Sequence, residues 1–175
     1  MELNLKGIRA ITLDVDGVMT DGSLIGTDEG GFLRIYNAKD SFALRAAAMA
    51  GFRLAVFTGG ETEGIRRRFL TCGVPEEDIY MGCRGKIHNF RHFCEKYGLD
   101  PSEVAYFGDD IPDIPILKAC GLGIAPADAA PETREAADFV SPCPGGKRCV
   151  REGVEMIMRA QGKWVFEENV YEKIF

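Results

Sequence analysis

Short apolar runs recur along the chain, each followed by a segment of helical periodicity, and this alternation constrains the fold more than any other feature. Residues 8–13, 52–57, 77–81, 104–107, 121–125 and 138–140 read as strands. Residues 40–50, 62–72, 86–97, 113–119, 131–136 and 148–161 read as helices between or after them. Apolar strands separated by helices pair in parallel through right-handed crossovers, with the helices covering both faces of the sheet. The fold expected is α/β, in three layers around a mostly parallel sheet. One segment breaks the alternation. Residues 23–36 read as two short strands around the turn at Gly30-Gly31, a β-hairpin inserted soon after the first strand. No repeat, low-complexity tract or linker interrupts the pattern, so a single domain is expected over residues 1–175.

Composition removes several classes of function. The 27 acidic residues outnumber the 21 Lys and Arg and leave a net charge of −6, the wrong balance for a surface that grips a nucleic-acid duplex. No apolar run approaches the length of a membrane span, and the first residues lack the pattern of a signal peptide. Six cysteines, at 72, 83, 94, 120, 143 and 149, form no Cys-x-x-Cys pair. Scattered thiols of this kind suit a reducing compartment, and a cytoplasmic location is expected. His88 and His92 lie one helical turn apart, but Asn89 stands where a metalloprotease pattern needs glutamate. We read the pair as one face of the amphipathic helix 86–97 rather than as a zinc site.

In open parallel sheets, ligands bind beyond the carboxyl ends of the strands. Here those ends carry Asp14 and Asp16 after the first strand, Thr58-Gly59-Gly60 after the second and Asp109, Asp110 and Asp113 after the fourth. Lys86 opens the helix after the third. Each element alone is an ordinary turn or cap sequence. Together they bring five carboxyl groups, a hydroxyl and a lysine to one rim. Clustered carboxylates repel unless a proton or cation neutralises them, and an oxygen-only donor set suits Mg²⁺. A hydroxyl and a fixed ammonium beside such a cation are the equipment of phosphoryl transfer.

These residues, in this order, resemble the four motifs of the haloacid dehalogenase superfamily of phosphatases, whose fold is Rossmann-like. The resemblance implies that Asp14 is the nucleophile that forms an aspartyl-phosphate. It implies that Asp16 is the general acid and then the general base, with its main-chain carbonyl on the metal. Asp109 matches a direct Mg²⁺ ligand, and Asp110 and Asp113 match residues that hold the metal's waters and Lys86. Thr58 and Lys86 match the groups that bind the phosphate. Residues 15–57, 43 in number, separate Asp14 from Thr58, and residues 59–85, 27 in number, separate Thr58 from Lys86. Neither interval holds a folded cap, so the hairpin stands in its place.

Within the superfamily the chain is similar to the capless 3-deoxy-D-manno-octulosonate 8-phosphate phosphatases of lipopolysaccharide biosynthesis. The similarity is carried by Asp14-Val15-Asp16-Gly17-Val18, Asn37-Ala38-Lys39-Asp40, Thr58-Gly59-Gly60, Arg66-Arg67-Arg68, Gly108-Asp109-Asp110 and Gly145-Gly146. Ser41 and Arg148 depart from it, standing where glycine and a small residue are common. Relatives acting on nine-carbon keto-acid phosphates carry glutamate where this chain has Gly60, which favours the eight-carbon substrate. A phosphoaspartate signalling receiver also combines acids, Thr and Lys, but there the second acid precedes the Thr and Lys. The expected substrate contacts are Gly59, Gly60, Asn37 and Arg66. Arg67, Arg68, Arg148, Arg151 and Lys147 remain open as alternative partners for the substrate carboxylate. Gly145-Gly146 reads either as a simple turn or as a loop lining the site. The resemblance further implies a homotetramer with shared active sites, in which hairpins and the tail from Trp164 onward reach neighbouring subunits.

Overall fold

The computed structural model describes residues 3–167. In chain order its elements are β1 (Ala10–Leu13), β2 (Ile25–Gly26), β3 (Phe32–Leu33), α1 (Ala38–Met49), β4 (Arg53–Phe57), α2 (Glu63–Thr71) and β5 (Ile79–Tyr80). There follow α3 (Lys86–Tyr97), β6 (Val104–Phe107), α4 (Ile114–Leu117), β7 (Leu122–Ala125), α5 (Pro131–Ala136), β8 (Phe139–Val140) and α6 (Cys149–Ala160). Six strands form one sheet in the order β5-β4-β1-β6-β7-β8, and every pairing in it is parallel. From β1 the chain moves outward through β4 to β5, then returns to place β6 on the other side of β1. The strand order therefore reverses between β1 and β6, where an open α/β sheet leaves a crevice at its carboxyl edge.

Side-chain alternation divides the apolar residues between two cores. Ile11 and Leu13 of β1, Leu54 and Val56 of β4, and Ala105 and Phe107 of β6 join Phe69, Val154 and Ile157 on one face. Ala10, Ala55, Phe57, Val104 and Tyr106 join Phe90, Phe93 and Leu117 on the other. These strands are buried on both faces, which is why they read as continuous apolar runs rather than alternating ones. The period of two operates inside the protein, sorting residues between two layers of helices.

The hairpin is a separate two-stranded sheet, with Ile25 paired to Leu33 and Gly26 to Phe32. It is shorter in regular pairing than residues 23–36 suggest, and it leaves Ile25, Phe32, Leu33 and Ile35 exposed. Asp40, in the first turn of α1, is fully buried and accepts the backbone N–H groups of Arg148 (3.1 Å) and Arg151 (2.7 Å). This joins the start of α1 to the amino end of α6, where a carboxylate satisfies donors that the helix leaves unpaired. It also holds Arg148 in the left-handed region (φ 83°), a conformation that favours a small residue there. At the other departure, the Ser41 hydroxyl contacts Arg68 Nη2 and donates to Asn37 O (3.2 Å). Within the chain, the described part of the tail packs on α1. Trp164 and Phe166 pack their rings against Phe42 of the same chain, and Arg151 lies over Trp164 at 4.5 Å. Residues 168–175 lie outside the described residues.

Candidate active site

The backbone after β1 explains how acids from two strands meet. Asp14 N donates to Phe107 O (3.0 Å), which extends the β1–β6 pairing by one residue and sets Asp14 at the point of reversal. The chain then turns tightly, with Met19 N donating to Val15 O (2.9 Å). Gly17 sits inside this turn at φ 86°, and a Cβ there would lie 1.9 Å from Asp109 Oδ2. Only glycine lets the β6 acid come this close to the β1 loop. From behind, a Cβ on Gly145 would lie 1.9 Å from Gly17 O, and Gly146 N donates to Val18 O (2.9 Å). Gly145-Gly146 thus buttresses the loop that carries Asp14 and Asp16.

At the rim, carboxylate oxygens of Asp14, Asp109 and Asp113 lie within 4.8 Å of one another. Lys86 Nζ bridges Asp14 Oδ2 and Asp113 Oδ1, each at 2.7 Å. Asp113 is fully buried and its oxygens are already engaged. Oδ1 also accepts Tyr106 OH (2.7 Å), and Oδ2 accepts Asp109 N (3.0 Å). It is built to position Lys86 and the Asp109 backbone. Burial, then the charge of Asp113, pushes Asp14 up to about 7 against the pull of Lys86. Burial, then the charges of Asp14 and Asp113, pushes Asp109 up to about 8. Burial works against the Lys86 ammonium, but Asp14 and Asp113 outweigh it and raise its pKa. Three carboxylates around one ammonium leave negative charge uncompensated.

A divalent cation fits this arrangement. Asp109 Oδ1 is buried and has no hydrogen-bond partner among the described residues, an unmet acceptor facing two other carboxylates. Hard oxygen donors with excess negative charge are what Mg²⁺ prefers. Beside the acids, the Thr58 hydroxyl is buried and accepts Gly60 N–H (3.1 Å), which leaves its own O–H to donate. Thr58, Gly59, Gly60, Lys86 and the acids line a cavity of about 510 Å³. Asp110 also lines it, while its carboxylate caps the short helical turn Ile111–Asp113 through Ile111 N (2.8 Å).

A second cavity of about 480 Å³ opens beneath the hairpin and shares Asp16, Gly59 and Gly60 with the first. Two arginines line it, Arg84 and Arg34, the residue after β3. The Arg34 guanidinium forks Asp16, Nε to Oδ1 at 2.7 Å and Nη2 to Oδ2 at 2.9 Å, while Nη1 donates to Thr62 Oγ1 at 2.9 Å. Arg84 lines both cavities. Neither arginine stands out in the motif reading, although a single charge inside the apolar run Phe32-Leu33-Arg34-Ile35-Tyr36 signals a buried partner.

The expected substrate contacts divide. Gly59 and Gly60 line the cavities. Asn37 instead caps α1, accepting Lys39 N (2.9 Å). Arg66 is bound to Glu63 and Glu76, each at 2.6 Å, and lines neither cavity. Arg67 pairs with Glu63, Arg68 lies over Tyr36, and Arg151 pairs with Glu155. Within one chain these arginines pair away from the cavities, and the cations that line the cavities are Lys86, Arg84 and, from the hairpin, Arg34.

Comparison with known proteins places this geometry in context. Residues 77–144 match the haloacid dehalogenase-like hydrolase family. The chain is 35% identical over 158 residues to the 3-deoxy-D-manno-octulosonate 8-phosphate phosphatase of Escherichia coli K12, covering 90% of this chain and 83% of that protein. The crystal structure of the Moraxella catarrhalis 3-deoxy-D-manno-octulosonate 8-phosphate phosphatase, in complex with magnesium, phosphate and KDO, superposes with a TM-score of 0.87. It is 31% identical, with 91% of each chain covered. The cobalt-bound Haemophilus influenzae enzyme gives 0.86 at 32% identity, covering 90% of this chain and 91% of that one.

Proposed function

The chain belongs to the 3-deoxy-D-manno-octulosonate 8-phosphate phosphatases of the haloacid dehalogenase-like hydrolases, and from that membership we propose that it hydrolyses 3-deoxy-D-manno-octulosonate 8-phosphate to the free sugar acid and phosphate. The observation that carries this reading is the cluster of Asp14, Asp109 and Asp113 bridged by Lys86 at the reversal of strand order. Asp14, Asp109 and the main-chain carbonyl of Asp16 would hold Mg²⁺, with Asp110 and Asp113 behind them. When bound, the ion offsets charge on the carboxylates and on the transferring phosphoryl group.

The remaining steps belong to the chain's own residues. Lys86 fixes one oxygen of Asp14, so the carboxylate meets phosphorus in one orientation. Attack by Asp14 forms the aspartyl-phosphate and expels the sugar oxygen, which takes the proton of Asp16 in its carboxylic-acid form. Asp16 then accepts a proton from water as that water attacks the phosphoenzyme, returning Asp14 as a carboxylate and releasing phosphate. The Thr58 hydroxyl and Lys86 ammonium bind the phosphate oxygens in both half-reactions.

We propose a homotetramer, and a cytoplasmic enzyme, as part of this reading. Exposure of Ile25, Phe32, Leu33 and Ile35, from 49% to 74%, supports a partner for the hairpin. No helix among the described residues is long and apolar enough to cross a membrane. Light scattering should give a mass near four chains. Phosphate release should show the highest kcat/KM for 3-deoxy-D-manno-octulosonate 8-phosphate, above its nine-carbon analogues and neutral sugar phosphates. A neutral hexose phosphate turned over equally well would refute the substrate assignment.

A further inference from the structure

Resting on that reading of the function, we propose that Arg34 is the specificity-determining residue of this site, binding the substrate's carboxylate in the hairpin cavity while its other edge holds Asp16. A carboxylate sugar bound by its phosphate at the rim must place its acid end somewhere within reach of a cation. The cavity beneath the hairpin adjoins the rim across Asp16, Gly59 and Gly60, and its volume of about 480 Å³ suits a small ligand. Leu24 and Phe32 give it an apolar wall, and Thr62 a hydroxyl. Glu61 also borders it, but its carboxylate turns toward Gly82, where a Cβ would lie 2.8 Å from Glu61 Oε1.

The hydrogen-bond inventory of Arg34 has room for a second anion. A guanidinium carries five N–H donors. Two grip Asp16 and one reaches Thr62, so two remain. One of these is on Nη2, and the residue that faces Nη2 is Gly60. A Cβ at position 60 would lie 3.0 Å from Arg34 Nη2 and 2.5 Å from Ile65 Cδ1. Only glycine fits between Arg34 and Ile65 here, so a larger residue would push the guanidinium from its place at the cavity. The side chain is only 5% exposed, so it is held in place before a ligand arrives. Bridging two carboxylates, Arg34 would also set the distance between the substrate and Asp16. Arg66 has as many engaged donors, but two glutamates neutralise it and it lines neither cavity.

The test compares Arg34→Met, Arg34→Lys and Gly60→Ala with the wild type in the Mg²⁺-loaded enzyme. The readout is the ratio of kcat/KM for 3-deoxy-D-manno-octulosonate 8-phosphate to that for glucose 6-phosphate, which lacks a carboxylate. Arg34→Met should lower this ratio about 10- to 100-fold, mainly through KM of the acidic substrate, as expected for loss of a charged hydrogen-bonded contact. Arg34→Lys keeps the charge without the fork and should recover part of the ratio. Gly60→Ala would push against Ile65 and Arg34 Nη2, displacing the guanidinium with its charge intact, and should also lower it, which keeps the test decisive if Arg34→Met does not fold. Inhibition by the free sugar acid, which has a carboxylate and no phosphate, should weaken in step, and inhibition by inorganic phosphate should weaken less. A wild-type preference that survives in Arg34→Met, or in Gly60→Ala should Arg34→Met fail to fold, overturns the role of Arg34 alone. Equal losses on both substrates would make Arg34 merely structural and also overturn it. A wild type with no preference for the acidic substrate removes the functional reading, and this inference with it.

Discussion

Asp14 and Asp16 stand two residues apart on one loop and live in opposite electrostatic settings. Asp14 looks into the rim, where Asp109 and Asp113 crowd it and Lys86 is the ammonium between them. Asp16 looks toward the hairpin, where one guanidinium meets one carboxylate in a two-bond fork. The rim is under-neutralised and stores repulsion that a cation relieves. The hairpin side is matched within the chain. One region is built to receive positive charge, and the other to hold a pair of opposite charges in fixed geometry.

The largest effects should come from breaking the rim. Asp14→Asn removes the nucleophile and should lower kcat at least about a thousandfold in a folded protein, measured on material verified to be free of deamidation. Asp109→Asn should weaken Mg²⁺ binding by titration calorimetry and cost activity by at least about a hundredfold. Its metal-free form should nevertheless melt above wild type at pH 8.5, because one repelling charge is gone. Neutralising the acid of the hairpin side should do the reverse. Asp16→Asn leaves a nearly buried guanidinium without its counter-charge and should lower stability by about 1–3 kcal/mol in denaturant titrations, besides slowing catalysis. If Asp109→Asn and Asp16→Asn shift metal-free stability in the same direction, the contrast between the two regions fails.

A pH series sharpens the same contrast. Asp14 and Asp109 have folded-state values raised from 3.8 to about 7 and about 8. Between those limits the folded protein binds more protons than the unfolded chain, so metal-free stability should fall as pH rises through that window. Mg²⁺ should therefore raise the melting temperature more at pH 8.5 than at pH 5.5, where protons already neutralise the acids and compete with the ion. An equal rise at both pH values would count against these carboxylates as the metal site. The smallest effect is expected for Arg66→Ala, within about twofold in kcat/KM, because its guanidinium is spent on partly exposed glutamates of its own neighbourhood.

Legibility followed the range of the interactions involved. The six sheet strands and six helices lie within a few residues of their sequence positions, because apolar runs and helical periodicity are local signals. The rim acids were legible because a strand's carboxyl end can be read without knowing its neighbours. In the sequence Arg66 reads as a substrate contact, with pairing to Glu61 or Glu63 as its plainer alternative; within one chain it binds Glu63, one turn away on the same helix, and Glu76, ten residues on. The packing of Trp164 and Phe166 on Phe42 was not legible, because their partner lies more than a hundred residues earlier in the chain.

The sequence by itself determined the alternation of strand and helix, and with it a parallel sheet whose acidic strand ends, Thr58 and Lys86 share one edge. Tertiary structure alone decided the partners of those groups. Arg34 finds Asp16 across 18 residues, and Lys86 finds Asp113 across 27. The physical reason is that strand order sets which ends converge: the return of the chain to place β6 beside β1 brings Asp109 and Asp113 onto Asp14. Charge pairing and burial then follow from distances in space, which the spacing of residues along the chain does not contain.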